Sequence, residues 1–96
     1  MLKIDKKMDG RRVEIALEGE LDSTTSPQLD SEVQDLENVD EVVLDLKGLA
    51  YTSSAGLRVI MGLKRRLAGR SLKLENIGLE VREVLDMTGS SALLGI

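Results

Sequence analysis

The sequence predicts a small mixed α/β domain in which helices pack against a sheet. Two strand patterns separated by a hairpin turn signal open the chain. Helix and strand patterns then alternate, which gives the order β-β-α-β-α-β-α and implies a mixed sheet. The length of 96 residues and the apolar content of 42 % suit one modest core. We therefore expect residues 1–96 to form a single domain.

The first two strands are predicted from alternation around a turn. Residues 2–8 alternate weakly and suit an edge strand, and Asp9-Gly10 is a hairpin turn signal. Apolar residues then occupy every second position from Val13 to Leu17, with charged residues between them. This pattern is typical of a half-buried strand, and the segment Gly19–Asp22 is predicted to leave it.

The first helix is predicted to begin near Pro27 and to end near Asn38. Residues 23–27 are rich in side chains that favour a helix start, and proline suits the first turn. Leu29, Val33 and Leu36 follow at the i, i+4, i+7 spacing of an amphipathic helix.

The centre of the chain predicts a buried strand and a second helix. Residues 39–46 are nearly continuously apolar, which suits a strand covered on both faces. Residues 54–68 carry a broad apolar arc, and Gly69 is expected to stop the helix.

The last third predicts one strand, one helix and a packed tail. Leu72, Leu74 and Ile77 supply the strand, and residues 80–87 have the spacing of a short helix. The apolar tail, residues 92–96, is expected to pack back on the domain.

Composition excludes several classes of function. The net charge of −4 and a single aromatic residue, Tyr51, argue against binding of nucleic acid. Without Cys or His, the chain lacks thiolates, imidazole bases and the commonest metal ligands. No run approaches the length of a membrane span. We expect a cytoplasmic protein with no metal, cofactor or membrane contact.

Catalytic constellations are also missing from the sequence. The acidic residues are numerous but fall mostly on expected solvated faces. Asp45 lies inside the predicted third strand, whereas a receiver domain carries its phosphoacceptor Asp at a strand end. The glycines lack the spacing of a nucleotide loop. The basic triplet Lys64-Arg65-Arg66 suits the C-terminal turn of a helix. The sequence favours a protein that is not an enzyme.

The pair Ser53-Ser54 lies where an apolar strand ends and a helix begins. A serine there can cap the helix, which by spacing is the commoner role. It can also carry a phosphate, because the unpaired N–H groups at a helix start favour negative charge. Spacing leaves both roles open.

Four blocks together resemble the bacterial anti-sigma factor antagonists, the stand-alone STAS domains. The blocks are Gly19-Glu20-Leu21-Asp22, Leu44-Asp45-Leu46, the segment 51–58 (Tyr-Thr-Ser-Ser-Ala-Gly-Leu-Arg) and Leu85-Asp86-Met87-Thr88-Gly89. The resemblance covers nearly the whole chain. It implies a STAS fold, a small mixed sheet with helices packed mainly on one face.

The resemblance also implies a partner switch that turns on Ser54. In that family the matching serine is phosphorylated by an anti-sigma factor that is also a serine kinase, and a PP2C-type phosphatase reverses the reaction. The unphosphorylated antagonist binds the anti-sigma factor and frees the sigma factor. Many members have Asp before this serine, where the present chain has Ser53, so Ser53 is a second candidate.

The resemblance places a partner-facing patch around this serine, and Asp22 matches the acidic residue in the neighbouring loop. The patch comprises Leu21, Asp22, Ser23, Thr24, Thr52, Ser53, Ser54, Gly56, Leu57 and Arg58. We expect the free protein to be a monomer.

Two alternatives remain open. A STAS module without a phosphoswitch could act as a scaffold in a transport or sensory complex. A small phosphotransferase or nucleotide hydrolase would need residue types that this chain lacks.

Overall fold

Four strands form a mixed sheet in a computed structural model that describes residues 1–36 and 38–96. They are β1 (Leu2–Asp9), β2 (Arg12–Leu21), β3 (Glu41–Thr52) and β4 (Ser71–Glu75), and they lie across the sheet in chain order. β1 pairs with β2 antiparallel, whereas β3 runs parallel to both β2 and β4. The mixed sheet confirms the predicted fold class.

Four helices are found among the described residues, namely α1 (Ser26–Glu32), α2 (Ser54–Leu67), α3 (Leu79–Met87) and α4 (Ser90–Leu94). The first three follow the predicted order, and α4 was not predicted. It begins after Gly89 (φ 74°) and buries Leu94. The Asp86 carboxylate holds its first turn by accepting a hydrogen bond from the Ser91 hydroxyl. The tail therefore packs back as predicted. None of the described helices has the length and hydropathy to cross a membrane.

The core lies between one face of the sheet and the helices. Every second residue of β2, from Val13 to Leu17, is buried together with Ile60 of α2 and Leu85 of α3. Most side chains of the opposite face are charged, and Arg12 pairs with Glu41 across neighbouring strands at 3.2 Å. Val43 of β3 is an apolar exception on this face and is fully buried. The alternation thus separates a helix-covered face from a polar face.

The turn between the first two strands was predicted correctly, but the end of β2 was not. Gly10 has φ +60° in a two-residue turn. The segment Gly19–Leu21 stays within β2, although the register shifts between Gly19 and Glu20. Gly19 has φ +106°, and a Cβ there would collide with the carbonyl oxygen of Met1. The glycine marks an irregularity inside the strand.

Helix α1 ends at Glu32, so the prediction of a helix reaching Asn38 is wrong. Val33, Leu36 and Val39 are buried, but the described residues between Glu32 and the start of β3 are not helical. Arginine side chains bind their carbonyl oxygens: Arg66 donates to Val33 at 2.9 Å, and Arg70 donates to Leu36 at 3.2 Å and Val39 at 2.6 Å. These bonds tie the segment after α1 to the C-terminal end of α2. Glu37, inside the predicted helix, lies outside the described residues.

The third strand is longer than predicted, and the second helix agrees closely. β3 begins at Glu41 and continues past Leu46 to Thr52, because β2 offers it a parallel partner over that whole length. Helix α2 begins at Ser54 as predicted. It ends at Leu67, followed by Ala68 in the left-handed conformation (φ 49°).

Candidate functional site

The predicted switch serine lies where two parallel strands end side by side. Leu21 is the last residue of β2 and Thr52 the last of β3, and the two are register partners. The backbone N–H of Ser53 donates to the carbonyl oxygen of Leu21 at 2.9 Å. This bond places the start of α2 beside the loop that follows β2.

Gly56 allows the first turn of α2 to pack directly on both strand ends. It is buried, and a Cβ at this position would lie 2.6 Å from Cγ of Leu21 and 2.6 Å from Oγ1 of Thr52. Leu57 is also buried, and its N–H donates to the carbonyl oxygen of Ser53 at 3.1 Å. The close contact fixes the direction in which α2 leaves the sheet.

The two serines differ in accessibility. Ser53 occupies the N-cap position, but its side chain makes no capping hydrogen bond, and its Oγ is buried without a partner among the described residues. Ser54 is the first helical residue and is exposed. Of the pair, Ser54 is the residue whose hydroxyl a modifying enzyme can reach in the folded chain.

The first N–H groups of α2 are free to face a negative charge. No acceptor among the described residues takes the N–H of Ser54 or Ala55. The opening turn holds no acidic side chain, and three basic side chains lie in the last turn, as the sequence predicted. This end of the helix therefore tolerates a negative group.

The loop after β2 is held rigid by the carboxylate of Asp22. Its Oδ1 accepts hydrogen bonds from the Thr24 N–H (2.9 Å), the Thr24 hydroxyl (2.6 Å) and the Thr25 N–H (3.1 Å). The hydroxyl of Thr24 first, and then the N–H groups, hold the pKa of Asp22 below its usual value. Thr25 belongs to the predicted helix start and is the N-cap of α1, but its hydrogen bonds in this loop were not predicted. It is buried and also donates to the Glu20 carbonyl oxygen at 2.9 Å. The run Asp-Ser-Thr-Thr at residues 22–25 is typical of such a turn, because short polar side chains hydrogen-bond the local backbone.

The structure divides the predicted partner-facing residues into two groups. The accessible or half-buried ones are Asp22, Ser23, Thr24, Ser53, Ser54 and Arg58. The buried ones, which support this surface from beneath, are Leu21, Thr52, Gly56 and Leu57. Contact with a partner stays a prediction for the first group, and any influence of the second group would act through its packing.

The accessible residues of this surface carry serine and threonine hydroxyls, the carboxylate of Asp22 and the guanidinium of Arg58. Within residues 1–36 and 38–96, no three acidic side chains converge in a way that could hold a metal ion. The arrangement is chemically suited to carrying a covalent group on an exposed hydroxyl and to contacting another protein.

Comparison with known proteins identifies the class to which this fold and surface belong. The family described as "Mlab, STAS domain" matches residues 4–95. The chain belongs to the STAS domain family. The fold inferred from the four sequence blocks is thereby confirmed.

Several of the similar proteins are anti-sigma factor antagonists. The chain is 29 % identical to the anti-sigma-B factor antagonist of Bacillus subtilis over 98 residues, which cover 99 % of this chain and 90 % of the relative. The anti-sigma factor antagonist SpoIIAA in its unphosphorylated form has a similar fold (TM-score 0.81, 22 % identity, 98 % of each chain covered). The Bacillus cell fate determinant SpoIIAA in its phosphorylated form is also similar (TM-score 0.76, 24 % identity, 97 % and 86 % covered).

Proposed function

We propose that this protein is an anti-sigma factor antagonist that works by partner switching and is not an enzyme. Its unphosphorylated form binds an anti-sigma factor of the serine-kinase type, and the sigma factor is released. Phosphorylation of Ser54 blocks that binding, and a PP2C-type phosphatase restores it. The name of the Bacillus subtilis relative and the phosphorylated form of SpoIIAA support this proposal.

The observation that carries the proposal is the contrast between the two serines. The Ser54 side chain is exposed at the first position of α2, whereas the Ser53 Oγ is buried. A kinase needs a hydroxyl that can reach its nucleotide, so Ser54 is the residue of this pair that fits without local unfolding.

Phosphorylation at this position would change binding more than folding. A phosphoserine adds a charge of about −1.5 to −2 at neutral pH. The free N–H groups of α2 accommodate that charge within the chain. A partner seated against Ser54 and the neighbouring Asp22 carboxylate would meet a new concentration of negative charge. Repulsion of about 3–4 kcal/mol lowers affinity several hundredfold, since each ~1.4 kcal/mol is tenfold.

The phosphorylation itself is tested with the kinase-type anti-sigma factor of the same genome. The purified kinase, ATP and the antagonist are incubated, and the modified residue is mapped by mass spectrometry. We expect a single phosphate on Ser54, no phosphate in Ser54→Ala and normal labelling of Ser53→Ala. Full labelling of Ser54→Ala would show that the assignment is wrong.

A pull-down distinguishes the switch from a scaffold. The switch predicts recovery of the kinase with the unphosphorylated protein. Recovery of transporter or membrane-complex subunits, with no kinase and no phosphate at steady state, would support a scaffolding STAS module instead.

A further inference from the structure

Helix α2 concentrates positive charge in a chain that is negative overall. The net charge of the protein is −4, yet residues 54–70 contain five arginines and lysines and no acidic residue. They are Arg58, Lys64, Arg65, Arg66 and Arg70.

Two of these cations, Arg66 and Arg70, form ion pairs or hydrogen bonds within the fold, whereas Arg58 and Arg65 form none with the described residues. Arg66 pairs with Asp30 at 3.0 Å, and Arg70 binds the carbonyl oxygens after α1. Arg58 and Arg65 are exposed and form no hydrogen bond or ion pair with any residue in the described part of the chain. Their charges are available to a group that arrives from outside the fold.

Arg58 lies one helical turn from Ser54 on the same side of α2. Residues four positions apart in a helix have neighbouring side chains, so a charged group on one can reach the other. Arg58 also forms one wall of an open groove of about 310 Å³ between α1 and α2, together with Pro27 and Asp30. Because the groove is open and Arg58 is exposed, its guanidinium lies in solvent and no ion pair with a described residue holds it there.

We propose that Arg58 binds the phosphate of phosphorylated Ser54 and is thereby withdrawn from the surface offered to the partner. This inference rests on the proposed function, since it takes Ser54 as the phosphoacceptor. The guanidinium would donate charge-assisted hydrogen bonds to the phosphate oxygens. Phosphorylation would then act twice, because it adds negative charge and also neutralises an exposed cation.

The charges around this pair favour Arg58 as the phosphate's partner. Asp22 lies on the neighbouring loop after β2, and Asp30 faces the groove from α1. Asp22 repels the phosphate, and Asp30 is already paired with Arg66. Arg65, which lies eleven residues beyond Ser54, is about three turns away along the same face.

The proposal is tested on protein that carries phosphoserine at position 54, installed during translation, so that no kinase or partner is needed. The second phosphate pKa, about 6 in an unperturbed phosphoserine, is measured by ³¹P NMR titration. A guanidinium bound to the dianion lowers this pKa. We expect Arg58→Ala to raise it by roughly 0.3 unit or more, and Arg58→Lys to restore part of the shift. Arg65→Ala is the matched control.

Two results would overturn the proposal. One is an unchanged phosphate pKa in Arg58→Ala, and the other is an equal rise in Arg65→Ala, which would show only a long-range charge effect. Neither result depends on an anti-sigma factor. Failure of the partner switch would instead appear as kinase binding that phosphorylation leaves unchanged, so the two failures are distinguishable.

Discussion

The backbone N–H of Ser53 and the carbonyl oxygen of Leu21 form a 2.9 Å hydrogen bond that joins the start of α2 to the end of β2. Because of this bond, the exposed Ser54 and the Asp22 loop belong to one surface. Gly56 packs beneath this surface, against Leu21 and Thr52.

The first prediction concerns Gly56, which has no room for a side chain. Gly56→Ala should lower the free energy of unfolding by about 1–3 kcal/mol, because the new methyl group would overlap Leu21 and Thr52. Urea denaturation measures this change. Gly62→Ala, in the same helix, is the control: its Cβ would meet nothing closer than an Arg65 nitrogen at 3.8 Å. We expect it to stabilise the protein by about 0.5–1 kcal/mol. Equal effects of the two substitutions would contradict the packing described.

The second prediction concerns the carboxylate of Asp22. The Thr24 hydroxyl is the largest cause of its lowered pKa, so Thr24→Val should raise that pKa toward the ordinary value. An NMR titration of the side-chain carboxyl measures it. Asp45 serves as an internal reference, because its pKa is lowered chiefly by Asn76 and should stay unchanged.

The sign of the associated pH dependence follows from the direction of this shift. A carboxyl whose pKa is lower in the folded state stabilises the fold above its unfolded pKa, and this contribution is lost as the pH falls through the folded value. The order of the Asp22 loop should therefore decline in acid, below the ordinary aspartate pKa of 3.8. A loop whose amide signals stay constant through that range would argue against the role given to Asp22.

The third prediction concerns Arg70, whose guanidinium binds the carbonyl oxygens of Leu36, Val39 and Leu67. Arg70→Ala should destabilise the protein by about 1.5–3 kcal/mol, since hydrogen bonds to a charged group are lost and the acceptors are left without this donor. Arg65→Ala, an exposed change of the same chemistry, should alter stability by less than about 0.5 kcal/mol. Thermal unfolding monitored by circular dichroism compares the two variants. If Arg70→Ala were as stable as the parent protein, these bonds would not hold the segment after α1.

The fourth prediction distinguishes an effect of Ser54→Asp on partner binding from an effect on the stability of the fold. Ser54→Asp should leave the free energy of unfolding within about 0.5 kcal/mol of the parent protein, because Ser54 is exposed and its side chain forms no hydrogen bond with the described residues. The same variant should bind the anti-sigma factor more weakly. A large loss of stability would instead point to a structural role for the Ser54 hydroxyl.

Periodicity and turn signals were enough to predict most of the fold. The Asp9-Gly10 turn, the order of strands and helices along the chain and the start of α2 at Ser54 follow from local patterns. The end of α1 could not be predicted in this way. Leu36 keeps the helical spacing after Leu29 and Val33, but it is buried in a turn that donors distant in sequence, notably Arg70, hold together.

The sequence suggested which residues form the candidate site, but not their burial or their hydrogen-bond partners. The sequence offered Ser53 and Ser54 as neighbouring candidates, but it did not indicate that the Ser53 Oγ is buried whereas Ser54 is exposed. The backbone bond that joins Ser53 to Leu21 links residues far apart in the chain. The hydrogen bonds of the Thr25 hydroxyl were not predicted, because their acceptors on Glu20 and Asp22 come close to it only in the folded loop. That Arg58 forms no ion pair with the described residues likewise depends on where acidic side chains lie in three dimensions.

The central claim is that a phosphate on Ser54 controls binding to the anti-sigma factor. Isothermal titration of the kinase-type anti-sigma factor with unmodified and Ser54-phosphorylated protein tests it most directly. We expect phosphorylation to raise Kd several hundredfold, which corresponds to about 3–4 kcal/mol. Equal dissociation constants for the two forms, or tighter binding of the phosphorylated one, would contradict it.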